Sequence, residues 1–221
     1  MREERIETHG IPAKLYDRGD ATAVLLLGHG GGYGKDAERF EKLSRHYAEL
    51  TGLAVVCMDA VDHGERKPET ATSDLPRGWH SSTVNRMVLD WQRTVDSCSS
   101  IGPAIAYVGF SMGSIFGVPT VAAMPSIKAA VFAVGGIPAG GGIDDVALGP
   151  VLLEAASRLD KPQVLMLNKA RDVIFPSDGA HALFDRIPGR KKRLMFWEGD
   201  HDDWPTEMIS QSVIFVNDHV Q

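Results

Sequence analysis

Six short apolar runs punctuate this chain, each separated from the next by a longer polar or amphipathic stretch. They are residues 23–27 (AVLLL), 54–58 (AVVCM), 104–110 (AIAYVGF), 129–134 (AAVFAV), 164–167 (VLML) and 194–197 (LMFW). Most are apolar at every position rather than alternating, as strands are when both faces of their sheet are covered. The intervening segments read as helices over 36–50, 82–98, 111–124, 148–159, 177–186 and 206–219. In the second, Val84, Met87, Val88, Trp91 and Val95 recur at spacings of three and four, which makes one buried stripe. Strand and helix in strict alternation predict an α/β fold with right-handed crossovers. Ahead of the first run, residues 6–16 contain Gly10 and Pro12 and are expected to form an extended edge hairpin.

Composition narrows the classes of function. The 221 residues are 43% hydrophobic and 24% charged, which excludes a disordered chain, and no linker divides them, so residues 1–221 are expected to form one domain. A net charge of −6 argues against nucleic acid or an anionic membrane surface as partner. Cys57 and Cys98 are too few for a disulfide framework and suit a reducing compartment. The opening MREERIETHG lacks the apolar stretch of a secretion signal, and no run approaches a membrane span; a cytoplasmic protein is expected. Nothing in the sequence speaks to oligomeric state.

Gly109-Phe110-Ser111-Met112-Gly113 is a G-x-S-x-G motif that follows an apolar run and opens a helical segment. That is the strand–turn–helix setting in which a serine hydroxyl is lifted above the carboxyl end of a sheet. A hydroxyl is a weak nucleophile until a positioned base takes its proton. His201, directly after the last apolar run, would lie at the same edge. Asp172, just past the VLML run, would lie there too. The order Ser111, Asp172, His201 is the nucleophile–acid–base order that goes with this elbow. Asp178 is the nearest rival acid but reads as first-turn charge on the next helix. Of the other histidines, His9 and His219 lie near the ends and His46 and His181 within helices. His29, His63 and His80 fall near the active edge, yet none follows the last strand.

Acyl transfer also requires N–H donors for a developing oxyanion. The N–H of Met112, next after the nucleophile, is one candidate. The run Gly28-His29-Gly30-Gly31-Gly32-Tyr33-Gly34 offers the other, with Gly31 preferred and Gly32 second. The same glycines fail the phosphate-loop pattern, because Asp36 follows Gly34-Lys35 where Ser or Thr is needed. They partly fit a dinucleotide fingerprint, with Gly32-Tyr33-Gly34-Lys35-Asp36-Ala37 as G-x-G-x-x-A and Asp59 as the ribose acid. A dinucleotide-dependent oxidoreductase therefore stays open as an alternative.

Taken together, GHGGG, the turn Asp59-Ala60-Val61-Asp62-His63-Gly64-Glu65, GFSMG, RDVIFP and GDH resemble the α/β-hydrolase superfamily from about residue 21 onward. The compact size is similar to the dienelactone-hydrolase-like and carboxylesterase-like members, although serine stands at the elbow where dienelactone hydrolases have cysteine. The resemblance implies a mostly parallel, twisted sheet of about eight strands with helices on both faces. It also implies a Ser111–His201–Asp172 triad. Residues 135–161 leave room for only a short insertion and no full lid domain. The expected function is hydrolysis of small soluble carboxylic esters, thioesters included, through an acyl-serine, with no cofactor and no metal. A non-catalytic ligand sensor on the same fold is the alternative from another class. Trp79, Trp197 and Trp204 are candidates to wall the substrate pocket or else ordinary packing. Arg66, Lys67 and Arg77 are expected to be solvated rather than to attract an anionic substrate. The cluster Asp200, His201, Asp202, Asp203 lacks the spacing of a metal site.

Overall fold

The computed structural model describes residues 1–68, 80–139 and 147–220. Eight strands form one sheet: β1 (Arg2–Thr8), β2 (Ile11–Asp17), β3 (Val24–Gly28), β4 (Ala54–Met58), β5 (Ala104–Phe110), β6 (Ala129–Ala133), β7 (Gln163–Lys169) and β8 (Lys192–Trp197). Their order is β1-β2-β4-β3-β5-β6-β7-β8. The pairings β1·β2 and β2·β4 are antiparallel, and every other pairing is parallel. Among the described residues five helices connect them, α1 (Glu38–Thr51), α2 (Ser81–Ser97), α3 (Met112–Ala123), α4 (Leu148–Ala156) and α5 (Ser177–Arg186), and α6 (Thr206–Val220) follows β8. Between β6 and β7 the described residues hold one helix, α4, and no lid domain.

Continuous apolar runs form the centre because each strand feeds two cores. On β3, Val24 and Leu26 join Met87, Trp91, Ile115 and Leu152 of α2, α3 and α4 on one face. Leu25 and Leu27 point the other way, to Phe40 and Tyr47 of α1 and Met208 and Val216 of α6. Burying a Leu or Val is worth about 1.5–3 kcal/mol, so a strand apolar at every position is stabilised from both sides. β8 departs from this. Leu194, Met195, Phe196 and Trp197 are only half-buried, because β8 is an edge strand.

The hairpin is longer than the expected 6–16. It begins at Arg2 and turns through His9 (φ 55°) and Gly10 (φ 72°), the two-residue turn that requires positive φ at both positions. Residues 2–5 are charged and carry no alternation, yet the register runs without a break from Arg2↔Asp17 to Thr8↔Ile11.

Candidate active site

The elbow forms where β5 hands over to α3. Ser111 takes φ 54° and ψ −114°, a conformation costly for any residue with a side chain, and two anchors hold it. Its N–H donates to the carbonyl of Ala133 at 2.9 Å, and the hydroxyl of Ser114 bridges the carbonyls of Gly109 and Ala133 at 2.8 Å each. Flanking glycines are required by contact. A Cβ on Gly109 would lie 2.4 Å from the carbonyl oxygen of Gly113, and one on Gly113 would lie 2.3 Å from that of Gly28. Tyr107, from β5, sits beneath this crossing and donates its hydroxyl to Gly113 O at 2.7 Å.

Three loops meet at Ser111. Past β7, Asp172 accepts the N–H groups of Ile174 and Phe175 on Oδ1, both at 2.9 Å, which fixes the carboxylate plane. Its Oδ2 accepts from Nδ1 of His201 at 2.7 Å. The ionised carboxylate can only accept, so the imidazole proton is assigned to Nδ1. Nε2 then presents its lone pair to the Ser111 hydroxyl, 2.9 Å away. The loop after β8 is held by Trp204, whose indole N–H donates to His201 O at 2.9 Å, and the ring of Phe175 lies 5.6 Å from the imidazole. Asp178 lies in the first turn of α5.

Met112 is the first residue of α3, where a helix has N–H groups without internal partners. Opposite it, residues Gly30–Tyr33 make a turn closed by Tyr33 N–H to Gly30 O at 3.3 Å, with Gly32 at φ 76°. That single bond leaves the N–H groups of Gly31 and Gly32 outside the turn's own hydrogen bonding. Gly30 lies against Ser111: a Cβ there would stand 3.7 Å from Ser111 Cβ. His29 secures the turn. One ring nitrogen, Nδ1, donates to Gly30 O at 2.8 Å, and the other accepts the N–H of Ala60 at 3.0 Å. Burial pushes its pKa down to about 4, so the ring is neutral.

A model of the alpha/beta hydrolase family matches residues 24–215 of this sequence. The chain belongs to the α/β hydrolase family. Solved structures agree on the fold. A cold-adapted esterase from an Arctic intertidal metagenomic library is 26% identical, with a TM-score of 0.83 over 100% of this chain and 94% of its own. An esterase of Pyrococcus furiosus is 16% identical, with a TM-score of 0.75 over 100% and 93%. A dienelactone hydrolase of Anabaena variabilis is 14% identical, with a TM-score of 0.75 over 100% and 99%. No curated protein matches the sequence.

Several details of this α/β hydrolase differ from what its sequence suggested. Asp59 is closed to a ribose. Its carboxylate accepts Lys35 N–H at 2.7 Å, Glu65 N–H at 3.0 Å and the Lys35 ammonium at 3.2 Å, and Gly34 and Gly64 press against it. The buried Lys35 amine is disfavoured as an ion by desolvation, but Asp36, Glu65 and Asp59 more than offset this and hold its pKa above the ordinary value. Arg66 is not solvated. It spans Asp59 O at 3.0 Å and Asp90 Oδ2 at 2.6 Å, with 10% of its side chain exposed. Lys67 is exposed as expected. Trp204 stacks on Phe110 (4.5 Å between ring centroids) under the Arg39 guanidinium and, like Trp197, packs on the α1/α6 side of the sheet. Trp204 also lines a groove of about 320 Å³ with Leu43 and Ile209, and Ser111 does not border it. Arg77 and Trp79 lie outside the described residues. Asp200 and Asp203 diverge to Arg171 and Lys169, both at 3.3 Å. Among the described residues, no group of three His, Cys, Asp or Glu side chains could hold a metal ion. Nor is any helix long and apolar enough to cross a membrane.

Two contributors went unread in the sequence, His29 as the brace of the glycine turn and Trp204 as the anchor of the His201 loop. The one available signal was position: His29 stands between the end of β3 and the glycine turn, and Trp204 stands between His201 and the start of α6.

Proposed function

We propose that this protein is a serine esterase that cleaves small carboxylic esters, thioesters included, through an acyl-Ser111 intermediate. The observation that carries the proposal is the continuous path from Ser111 Oγ through His201 to Asp172, at 2.9 and 2.7 Å. As Ser111 Oγ bonds to the ester carbonyl carbon, Nε2 of His201 takes the hydroxyl proton. Asp172 holds the tautomer and stabilises the imidazolium. The N–H groups of Met112 and Gly31 receive the oxyanion, the kind of contact worth 10²–10³ in rate. His201 returns the proton to the departing alkoxide or thiolate. Water, deprotonated by His201, then attacks the acyl-serine, releasing the acid and restoring the hydroxyl. The likeness to the Arctic and Pyrococcus esterases supports ester bonds as the target. Cys57 and Cys98, buried and unpaired, support a reducing compartment such as the cytoplasm.

Hydrolysis of a ladder of p-nitrophenyl esters by the wild type and by Ser111→Ala tests this. The wild type should turn over the short acyl chains, and Ser111→Ala should lose about 10⁴- to 10⁶-fold in kcat. A fluorophosphonate probe should label the wild type at Ser111 alone. Equal turnover by both proteins would remove Ser111 as the nucleophile, and no turnover together with no labelling would favour the sensor reading.

A further inference from the structure

The sheet has two outer edges, and they are built differently. β1 carries Arg2, Glu3, Glu4, Arg5 and Glu7, the charge density that keeps an edge from recruiting another strand. β8 carries Leu194, Met195, Phe196 and Trp197 in succession, all half-buried, and among the described residues no strand pairs with its outer side. Its backbone is set for one more partner. The N–H of Val164 donates to Lys191 O and that of Ala170 to Trp197 O, at 2.8 and 2.9 Å, so odd-numbered positions turn toward β7. Lys192, Leu194 and Phe196 therefore present their N–H and C=O groups outward.

Charge along this strand is polarised. Arg190, Lys191 and Arg193 stand at its start, while Glu198 and Asp200 follow its end, all of them exposed. A strand of this kind is complementary to itself when reversed. Centred on Met195, an antiparallel pair sets Leu194 against Phe196 and Arg193 against Trp197, and beyond the strand ends it draws the basic Arg190 and Lys191 toward the acidic Glu198 and Asp200 of the second copy. The centre falls where outward backbone groups meet outward ones, because even positions oppose even positions. A parallel pair would set like charges side by side. Lys192 takes no part in the charge match, since its ammonium donates to the carbonyls of Phe184 and Ile187 at 2.7 Å. Asp200 shares Arg171 in the single chain through an exposed contact of 3.3 Å, the kind that contributes little.

We propose that β8 is a dimerisation edge, at which two copies of this chain join antiparallel about Met195 into one continuous sheet. The pairing brings the basic start of β8 in one copy beside the loop that carries His201 in the other. It stands independently of the reaction proposed for Ser111.

Sedimentation of the full chain at micromolar concentration should give twice the 24.0 kDa of one copy. Met195→Cys should form a disulfide-linked dimer on mild oxidation, because facing residues of a non-hydrogen-bonded antiparallel pair have Cα atoms about 4.5 Å apart, within disulfide reach. The wild type, whose Cys57 and Cys98 are buried, should not. Arg190→Asp and Asp200→Arg should each sediment as monomers, and an equimolar mixture of the two should regain the dimer mass. A monomeric wild type overturns the proposal, as does a Met195→Cys protein that fails to link. Charge reversals that stay dimeric, or a mixture that stays monomeric, overturn the register.

Discussion

His29 illustrates how one buried side chain governs a reactive surface. Both ring nitrogens are engaged, Nδ1 as donor to Gly30 O and Nε2 as acceptor of Ala60 N–H, and a proton added at Nε2 would abolish the second bond. Burial, the leading cause, depresses its pKa from 6.5 to about 4. The unfolded chain therefore binds a proton that the folded chain refuses. Stability is intact above pH 6.5 and falls as the pH drops toward 4, by about 3 kcal/mol for this ring alone. His63, whose pKa burial also lowers, acts in the same direction. Urea unfolding across that window should show the loss, and His29→Gln should flatten it; an unchanged slope in the variant would assign the acid sensitivity elsewhere. The sequence placed His29 near the active edge but gave it no task, because its second partner lies 31 residues away. Ser111, Asp172 and His201, the residues proposed to react, were legible for the opposite reason. Each follows a strand directly, so strand order alone predicts which edge it occupies.

At the scale of elements, the crossing of β3, β5 and α3 decides whether Ser111 is presented at all. Gly113 meets Gly28 backbone to backbone, and neither main chain can retreat from the core. Gly113→Ala is expected to cost about 3 kcal/mol or more and to displace Ser111. A lowered melting temperature together with weaker fluorophosphonate labelling would register both effects, whereas wild-type values for both would refute the contact argument. Periodicity located most elements well. The expected α5, residues 177–186, has the observed bounds, and α2 is shifted by one residue. α1 begins at Glu38 rather than 36, since the Asp36 carboxylate is drawn to the Lys35 ammonium at 2.6 Å. α4 ends at Ala156 because the chain tightens there into bonds from Arg158 N–H to Ala155 O and Leu159 N–H to Ala156 O. The single helical turn over Gly64–Arg66 was not foreseen, since it depends on the Asp59 carboxylate folding back onto Glu65 N–H.

Across the whole molecule, Asp59 ties regions that no local pattern connects. Its N–H donates to Pro12 O on β2, its carboxylate gathers Lys35 and Glu65, and its carbonyl receives Arg66, which reaches Asp90 on α2. Asp59→Ala leaves the fully buried Lys35 with only Asp36 and Glu65, and is expected to cost about 3 kcal/mol by thermal or urea unfolding. A near-neutral result would mean that the remaining two carboxylates carry the ammonium unaided. The layered α/β plan was readable because strands covered on both faces leave an unmistakable run of apolar residues. The fate of charged side chains was not, as Arg66 demonstrates: a sequence says what a guanidinium is, and only the fold says what stands opposite it. Ser111 is suspended from β5 in the middle of the sheet, while His201 follows β8, an outermost strand of each copy. A warmed or ageing sample can thus retain its full spectrum and already be chemically silent, turnover gauging the periphery and ellipticity the interior.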